Sequence, residues 1–432
     1  MKKFYAVVMV SLPVFLAKAQ VSVNNELKSL ITQSFTYFPK VIEAENMVKT
    51  SEEKLALTKI NKLPEVTGNA SYAYIQPKIT IPFPGGPGGS LVDFQFAPVH
   101  AMNAGVNASY TLFDFGRIEA AVQKSKDDIQ FAKHNADNAR VQLANQVTQI
   151  YYNIVYLKKA IDIQDSVILF LTDNLKLVAA KLKDGDALKI DVLNIQTQIN
   201  EEQNRKVDLQ NLLDRQKILL EYTTGIKQQK GLNFDFEVNL TDADAALATA
   251  KANNIEFQLI KDKIKQAESD VTIAKTADKP FVGLQANTGY KNGYVPDVTE
   301  MRFNYQAGIG LSIPIYNGGK AKQQTKLAET FVKQNQLAAE TLNSNYKRDI
   351  EQTLTDIQSN MERIRYTQKQ IDDAKYAQQL AATRFKNGVS TNLELTNAAT
   401  TTQKIQLMEL KYQFQLCLSK VDLAKLMGYT YW

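Results

Sequence analysis

Two hydrophobic periods take turns along this chain. Leu143, Val147, Ile150, Ile154, Leu157, Ile161, Ile168, Leu171, Leu175, Val178 and Leu182 keep one alternating spacing of three and four residues, interrupted only at Gln164. A seam of that kind, sustained for about 40 residues, predicts a helix that coils against neighbours. Neither Arg117 to Lys183 nor Lys320 to Lys386 contains a Pro or Gly, so each stretch predicts an unbroken helix of roughly 100 Å.

Beside these helices the period drops to two. Val66, Gly68, Ala70, Tyr72 and Tyr74 alternate with Thr67, Asn69, Ser71 and Ala73, and Val106, Ala108, Tyr110 and Leu112 alternate with Asn107, Ser109 and Thr111. Further along, Val282, Leu284, Ala286, Thr288 and Tyr290 form a third series, and Ala307, Ile309, Leu311, Ile313 and Ile315 a fourth. Strands of about ten residues with an apolar, tyrosine-bearing face and a small polar face suit a membrane barrel, lipid outside and water inside. A soluble hairpin packed on helices gives the same pattern strand by strand. Four strands cannot close a barrel, and hydrocarbon does not tolerate open edges. A membrane reading therefore requires assembly, and three copies supply 12 strands, an even number of the bacterial kind.

The chain is one unit written twice. Gly105, Gly116, Gly185 and Gly225 reappear as Gly308, Gly319, Gly388 and Gly428, each displaced by 203 residues. Upstream the displacement is 216, which takes Lys49, Glu52, Lys59, Pro64 and Tyr74 to Lys265, Glu268, Lys275, Pro280 and Tyr290. The difference places 13 extra residues between Tyr74 and Gly105. That stretch contains Pro82 to Gly89, rich in Pro and Gly, and predicts a long loop without regular structure.

The first 19 residues have a basic start at Lys2 and Lys3, an apolar run from Phe4 and an Ala17-Lys18-Ala19 end. They read as a cleavable secretory signal, too short to span a bilayer. Removing Lys2, Lys3 and Lys18 leaves 48 basic against 45 acidic residues, so the charge falls from +6 to +3. That balance is too weak to imply nucleic acid. Cys417 is the single cysteine; it can form no intrachain disulfide and lies far from any lipid-bearing N-terminus. His100 and His134 have no metal-ligand spacing around them, Gly85 to Gly89 lacks the Lys-Ser/Thr of a phosphate loop, and no serine sits in a nucleophile elbow. An enzyme is not expected, nor any cofactor or metal.

The order helix, Leu63-Pro64, strand, loop, strand, Phe113-Asp114-Phe115-Gly116, long helix, Gly185 turn, helix, repeated with Lys279-Pro280, Tyr316-Asn317-Gly318-Gly319 and Phe385-Lys386-Asn387-Gly388, resembles the TolC family of outer-membrane efflux proteins. The resemblance covers the chain beyond the signal. It implies a mainly α fold with membrane β: a duplicated unit of long coiled-coil hairpins forming a periplasmic tunnel, with four strands per chain of a trimeric 12-stranded barrel. The divisions it implies are periplasmic helices at 20–62, strands at 63–116 around an extracellular loop at 76–102, and a helical hairpin at 117–224. An equatorial belt segment follows at 225–254, a helix at 255–278, strands at 279–318 around a loop at 291–302, a second hairpin at 319–427, and a belt end at 428–432, where Tyr431 and Trp432 read as belt packing. The implied role is the passive exit duct of a tripartite efflux pump or type I secretion system. The implied partners are a homotrimer, a periplasmic adaptor, an inner-membrane pump of RND, ABC or MFS type, and outer-membrane lipid. A secreted or periplasmic coiled-coil scaffold or adhesin without a pore is the alternative.

The resemblance also puts the helix-to-helix turns, Lys183 to Lys189 and Lys386 to Asn392, at the periplasmic tip. Lys183, Asp184, Gly185, Lys386, Asn387 and Gly388 become candidates for adaptor docking. The family often places a carboxylate just beyond each turn; here the positions are Asp191 and Glu394, with Asn194 and Asn397 three residues on. Residues three apart share a helix face, so each pair is a candidate for the pore aperture. Stabilisation of a helix start accounts equally well for an acid in a first turn. Asn397 stands where some relatives carry a second acid, so a single Glu394 ring is the expected charge.

Overall fold

The computed structural model describes residues 21–84, 88, 91–227 and 230–432; the expected signal at 1–19 lies outside the described residues. In chain order the elements are β1 (Val21–Ser22), α1 (Asn25–Tyr37), α2 (Pro39–Ile60), β2 (Glu65–Tyr74), β3 (Thr80–Pro84), β4 (Leu91–Gln95), β5 (His100–Phe113), α3 (Arg117–Asp184) and α4 (Lys189–Thr224). The series continues with β6 (Glu237–Val238), α5 (Ala243–Asn253), α6 (Ile255–Thr276), β7 (Phe281–Lys291), β8 (Arg302–Ser312), α7 (Lys320–Lys386) and α8 (Asn392–Leu426). The two breaker-free stretches are single helices, α3 of 68 residues and α7 of 67. The described residues divide into two compact units, one made of Asn46–Lys133 and Leu259–Ala339, the other of the residues up to Glu45, His134–Gln258 and Glu340–Trp432.

The first unit carries an antiparallel sheet in the order β2-β5-β7-β8. Directly paired residues share a face, and the register collects the apolar series of all four strands on one side. One row runs Tyr72–Met102 and another Ala70–Ala104–Tyr290–Phe303, and Tyr110, Leu284 and Ile309 form a third. On the opposite side Thr67, Asn107, Asn287 and Gln306 line up, with Asn107 Nδ2 donating to Asn69 Oδ1 at 3.0 Å. The apolar side is bare: Tyr305 is 80% and Ile309 72% exposed. β2 and β8 each leave one edge unpaired.

Three strand expectations change. A register shift between Thr111 and Phe113 sets Phe113, not Leu112, opposite Val282, because an inserted residue rotates the alternation by one. β8 stops at Ser312, so Ile313 and Ile315 fall outside it. The loop after β2 also holds a ladder: β3 and β4 pair from Thr80–Gln95 to Pro84–Leu91. Pro82 and Pro84 are compatible with it because residues two apart face the same edge, and a two-stranded ribbon has an edge that needs no N–H donors.

The second unit is helical. Leu143, Val147, Ile150, Ile154 and Leu157 of the seam are buried with Leu27, Ile31, Leu220, Ile350 and Val421. Around Tyr151 and Tyr152, both fully buried, the chain breaks into short elements, including the β1–β6 ladder. Tyr152 Oη donates to Asp235 at 2.8 Å, and Tyr431 meets Phe236 edge-on at 5.1 Å. Trp432 packs edge-on against Phe35. The gap in the seam is occupied: Gln164 is 1% exposed and donates to the Glu202 carboxylate and backbone carbonyl. Gln403 reaches both Gln164 Oε1 and Glu202.

Candidate functional site

Both helix-to-helix turns end their first helix in the same way. At Gly185, φ is +86°, and the Asp186 N–H reaches back to the Lys181 carbonyl at 2.8 Å. At Gly388, φ is +74°, and Val389 N–H bonds the Arg384 carbonyl at 2.9 Å. This six-to-one closure needs a left-handed residue just past the helix, where glycine carries no Cβ penalty. Lys183, Asp184, Lys386 and Asn387 are exposed around the two glycines.

The return helices start differently. α4 has Leu188 at its N-cap, whose side chain cannot accept a hydrogen bond. Instead the Asp191 carboxylate accepts from the Leu188 N–H at 3.1 Å. α8 starts at Thr391, whose hydroxyl accepts from the Glu394 N–H at 3.3 Å. Asp191 is half-buried, while Asn194, Glu394 and Asn397 are exposed. Asp191 is thus engaged in starting its helix, and the Glu394 and Asn397 side chains share one exposed face of α8.

Beneath the turns a small core of Leu171, Val178, Ile195, Ile199, Phe385 and Leu395 joins the two hairpins. Lys181 Nζ donates to the Phe385 carbonyl at 2.9 Å and stands over its ring, 4.5 Å from the centroid. Asn174 Nδ2 donates to Asn392 Oδ1 at 2.7 Å, and both side chains are buried. Sequence reasoning passed over this pair, although an Asn three residues after Leu171 on a buried stripe was a signal. It also passed over the exposed apolar residues around the turns: Leu188, Ile190, Leu193, Val389 and Leu393, of which Leu188 is 67% exposed.

Comparison with known proteins covers both copies of the repeat. The family model described as Outer membrane efflux protein matches residues 30–225 and 246–429. Toxin and drug export protein A of Aggregatibacter actinomycetemcomitans is 22% identical over 72% of this chain and 69% of its own length. The pyoverdine export outer membrane protein OpmQ of Pseudomonas putida is 19% identical over 76% of this chain and 70% of its own. The crystal structure of the outer membrane protein VceC from Vibrio cholerae superposes with a TM-score of 0.75 at 17% identity, covering 94% of this chain and 96% of that one. With the duplicated helix-strand order, the bare apolar sheet face and the paired glycine turns all in place, the chain belongs to the outer membrane efflux protein family, whose members are TolC-like channels and not enzymes.

Proposed function

We propose that three copies of this chain form the exit duct of a tripartite exporter, with a 12-stranded barrel in the outer membrane and the helical hairpins as a periplasmic tunnel. The sheet carries this reading: apolar residues of one face are exposed on every strand, while β2 and β8 each leave one edge unpaired. In hydrocarbon those edges have to be closed, and only further strands can close them. A soluble scaffold has no use for a bare face of Tyr, Ile and Leu.

The turns serve as the periplasmic tip. The exposed Leu188, Ile190, Leu193, Val389 and Leu393, set among Lys183, Asp184, Lys386 and Asn387, supply an apolar surface for an adaptor protein, which couples the duct to an inner-membrane pump of RND, ABC or MFS type. Small molecules and proteins are both compatible with such a duct. Relatives named for toxin and drug export and for pyoverdine export support an export role. The gate is read at Glu394 with Asn397 of the second hairpin, and Asp191 with Asn194 contributes the first hairpin's share of the aperture.

The test is specific to one face of the sheet. Tyr110→Arg or Leu311→Arg is expected to impair assembly into the outer membrane, costing about 2 to 4 kcal/mol near the midplane. Asn107→Arg and Ser312→Arg, on the polar face, are tolerated. Equal yields of membrane-inserted protein from both pairs reject the lipid surface and favour the scaffold.

A further inference from the structure

The ribbon between β2 and β5 has a bare apolar face of its own. Ile81 pairs with Phe94 and Phe83 with Val92 on one side, while Thr80–Gln95, Pro82–Asp93 and Pro84–Leu91 make the other. The Phe96 N–H donates to the Ile79 carbonyl at 3.1 Å, which adds an Ile79–Phe96 row to the first side in the same register. The Phe94 and Phe96 rings meet edge-on at 4.9 Å. Three apolar side chains from each strand therefore share one face. Phe83 is 60% and Ile81 50% exposed, and Lys78 and Asp93 are the only charges between Ile75 and Val99.

The ribbon is rooted in the sheet one residue out of step. The Ile75 N–H donates to the Val99 carbonyl at 2.8 Å and keeps the β2–β5 register. Between that row and Ile79–Phe96, three residues lie on one strand and two on the other. An extra residue on one strand reverses that strand's alternation and leaves its partner's unchanged. Ile79, Ile81 and Phe83 thereby join the side of Tyr72 and Tyr74, while Val92, Phe94 and Phe96 stay in series with Met102 and Ala104. In register, the bare faces of ribbon and sheet are one side.

We propose that this ribbon rests on the outer leaflet of the membrane, its apolar face at the boundary of headgroups and acyl chains, as an interfacial amphipathic helix does. The inference rests on the membrane barrel proposed above and adds a lipid contact beyond the strands that cross. β2 has 10 residues, already enough for a tilted crossing of the hydrocarbon, so the ribbon lies outside it. The chain bends at the ribbon's root, at Pro77, Ala97 and Val99. Bending away from the channel lays the shared side down on lipid. Bending over the channel mouth turns the same apolar side chains up into water.

Pro82 and Pro84 fit the same surroundings. Proline has no N–H to give to the ladder, so both belong to rows without hydrogen bonds, and their nitrogens lie along the free edge of β3. That edge lacks two donors that an apolar medium would leave unsatisfied, and another strand cannot extend it. The contact is therefore made by side chains on a fluid surface and not by strand addition. The second copy carries no such device: its connection from β7 to β8, Asn292 to Met301, has no strand of its own.

Spin labels on the two faces test the placement. Phe83→Cys and Val92→Cys report the apolar face, Thr80→Cys and Asp93→Cys the other, and Leu311→Cys the sheet. Cys417 is 3% exposed, and burial pushes its thiol up, so the introduced thiol takes the label. Oxygen concentrates among acyl chains and a water-soluble nickel chelate does not. In vesicles of phosphatidylethanolamine and phosphatidylglycerol, the ratio of oxygen to nickel accessibility should be several-fold higher at positions 83 and 92 than at 80 and 93. A ratio equally low at all four, with position 311 still high, puts the ribbon in water and overturns the inference while the barrel stands. Loss of both accessibilities at position 83, with dipolar broadening between labels, seats the face on neighbouring copies and overturns it too. A low ratio at position 311 as well removes the lipid-facing sheet and this inference with it.

Discussion

Phe115 has φ of +55°, and its counterpart in the second copy, Gly318, has φ of +66°. Both sit where a strand turns into a long helix. The following glycine N–H bonds the preceding Asp114 or Asn317 side chain at 3.0 or 3.1 Å. The left-handed conformation is therefore demanded by the junction and not by the residue, and Phe115 adopts it at a cost of roughly 1 to 2 kcal/mol. Its ring meets Phe113 at 4.7 Å. Phe115→Gly should then be more stable than Phe115→Ala, since both lose the ring and only glycine is free at that φ, whereas Gly318→Ala should destabilise by about 1 kcal/mol. Thermal dissociation of the assembled protein checks both. At the helix-to-helix turns, the two acids part ways. The Asp191 carboxylate already accepts the Leu188 N–H, so Asp191→Asn should act mainly on the start of α4, by about 1 kcal/mol or less. Glu394 is exposed, and under the proposed trimeric duct three such carboxylates would form a ring whose field a narrow aperture focuses. Glu394→Gln should reduce cation selectivity and weaken block by multivalent cations from the periplasmic side while trimers still form. Unchanged selectivity and block in planar bilayers would leave Glu394 a helix-start residue.

The long helices hold a polar layer within an otherwise apolar seam. Glu202 is 6% exposed and accepts from Gln164, Gln403 and Arg205, the last at 2.6 Å. A buried carboxylate with both oxygens engaged fixes the axial register of α3, α4 and α8, because sliding any of them strands a charge. Gln164→Leu restores the heptad pattern yet should destabilise by about 1 to 3 kcal/mol, since it leaves Glu202 short of a donor. Replacing Gln164, Glu202 and Gln403 together by Leu should recover that loss or exceed it. Denaturant unfolding of the single and triple variants separates the two outcomes; a single variant as stable as the triple would show that the layer does not set register. The break at Gln164 was visible in the sequence, but its partners were not, because Glu202 and Gln403 lie on other helices at unrelated spacings. The same limit applies to the strands. Alternation gave each face, and proline content argued against β3. The ladder to β4 depends on which edge of the ribbon is free, and the bulge at Thr111 depends on the neighbouring strand.

At the scale of the whole molecule, the duplication was legible because glycines at fixed offsets mark turns that both copies must make, and the two segments matched by the outer membrane efflux protein family, 30–225 and 246–429, fall on those copies. The turn residues were legible only by position: sequence placed Gly185, Gly388, Asp191 and Glu394 at the helix-to-helix turns, while the Asn174–Asn392 pair beneath them emerged only in three dimensions. What a single chain leaves incomplete is also what the account rests on. A sheet with a bare apolar face and two open edges is stable only in lipid and only when closed. Cell fractionation followed by the native mass of the detergent-extracted particle tests this most directly. The account predicts recovery with outer membranes as a particle of three chains that dissociates on heating. Recovery from the soluble fraction as a single elongated chain would contradict it.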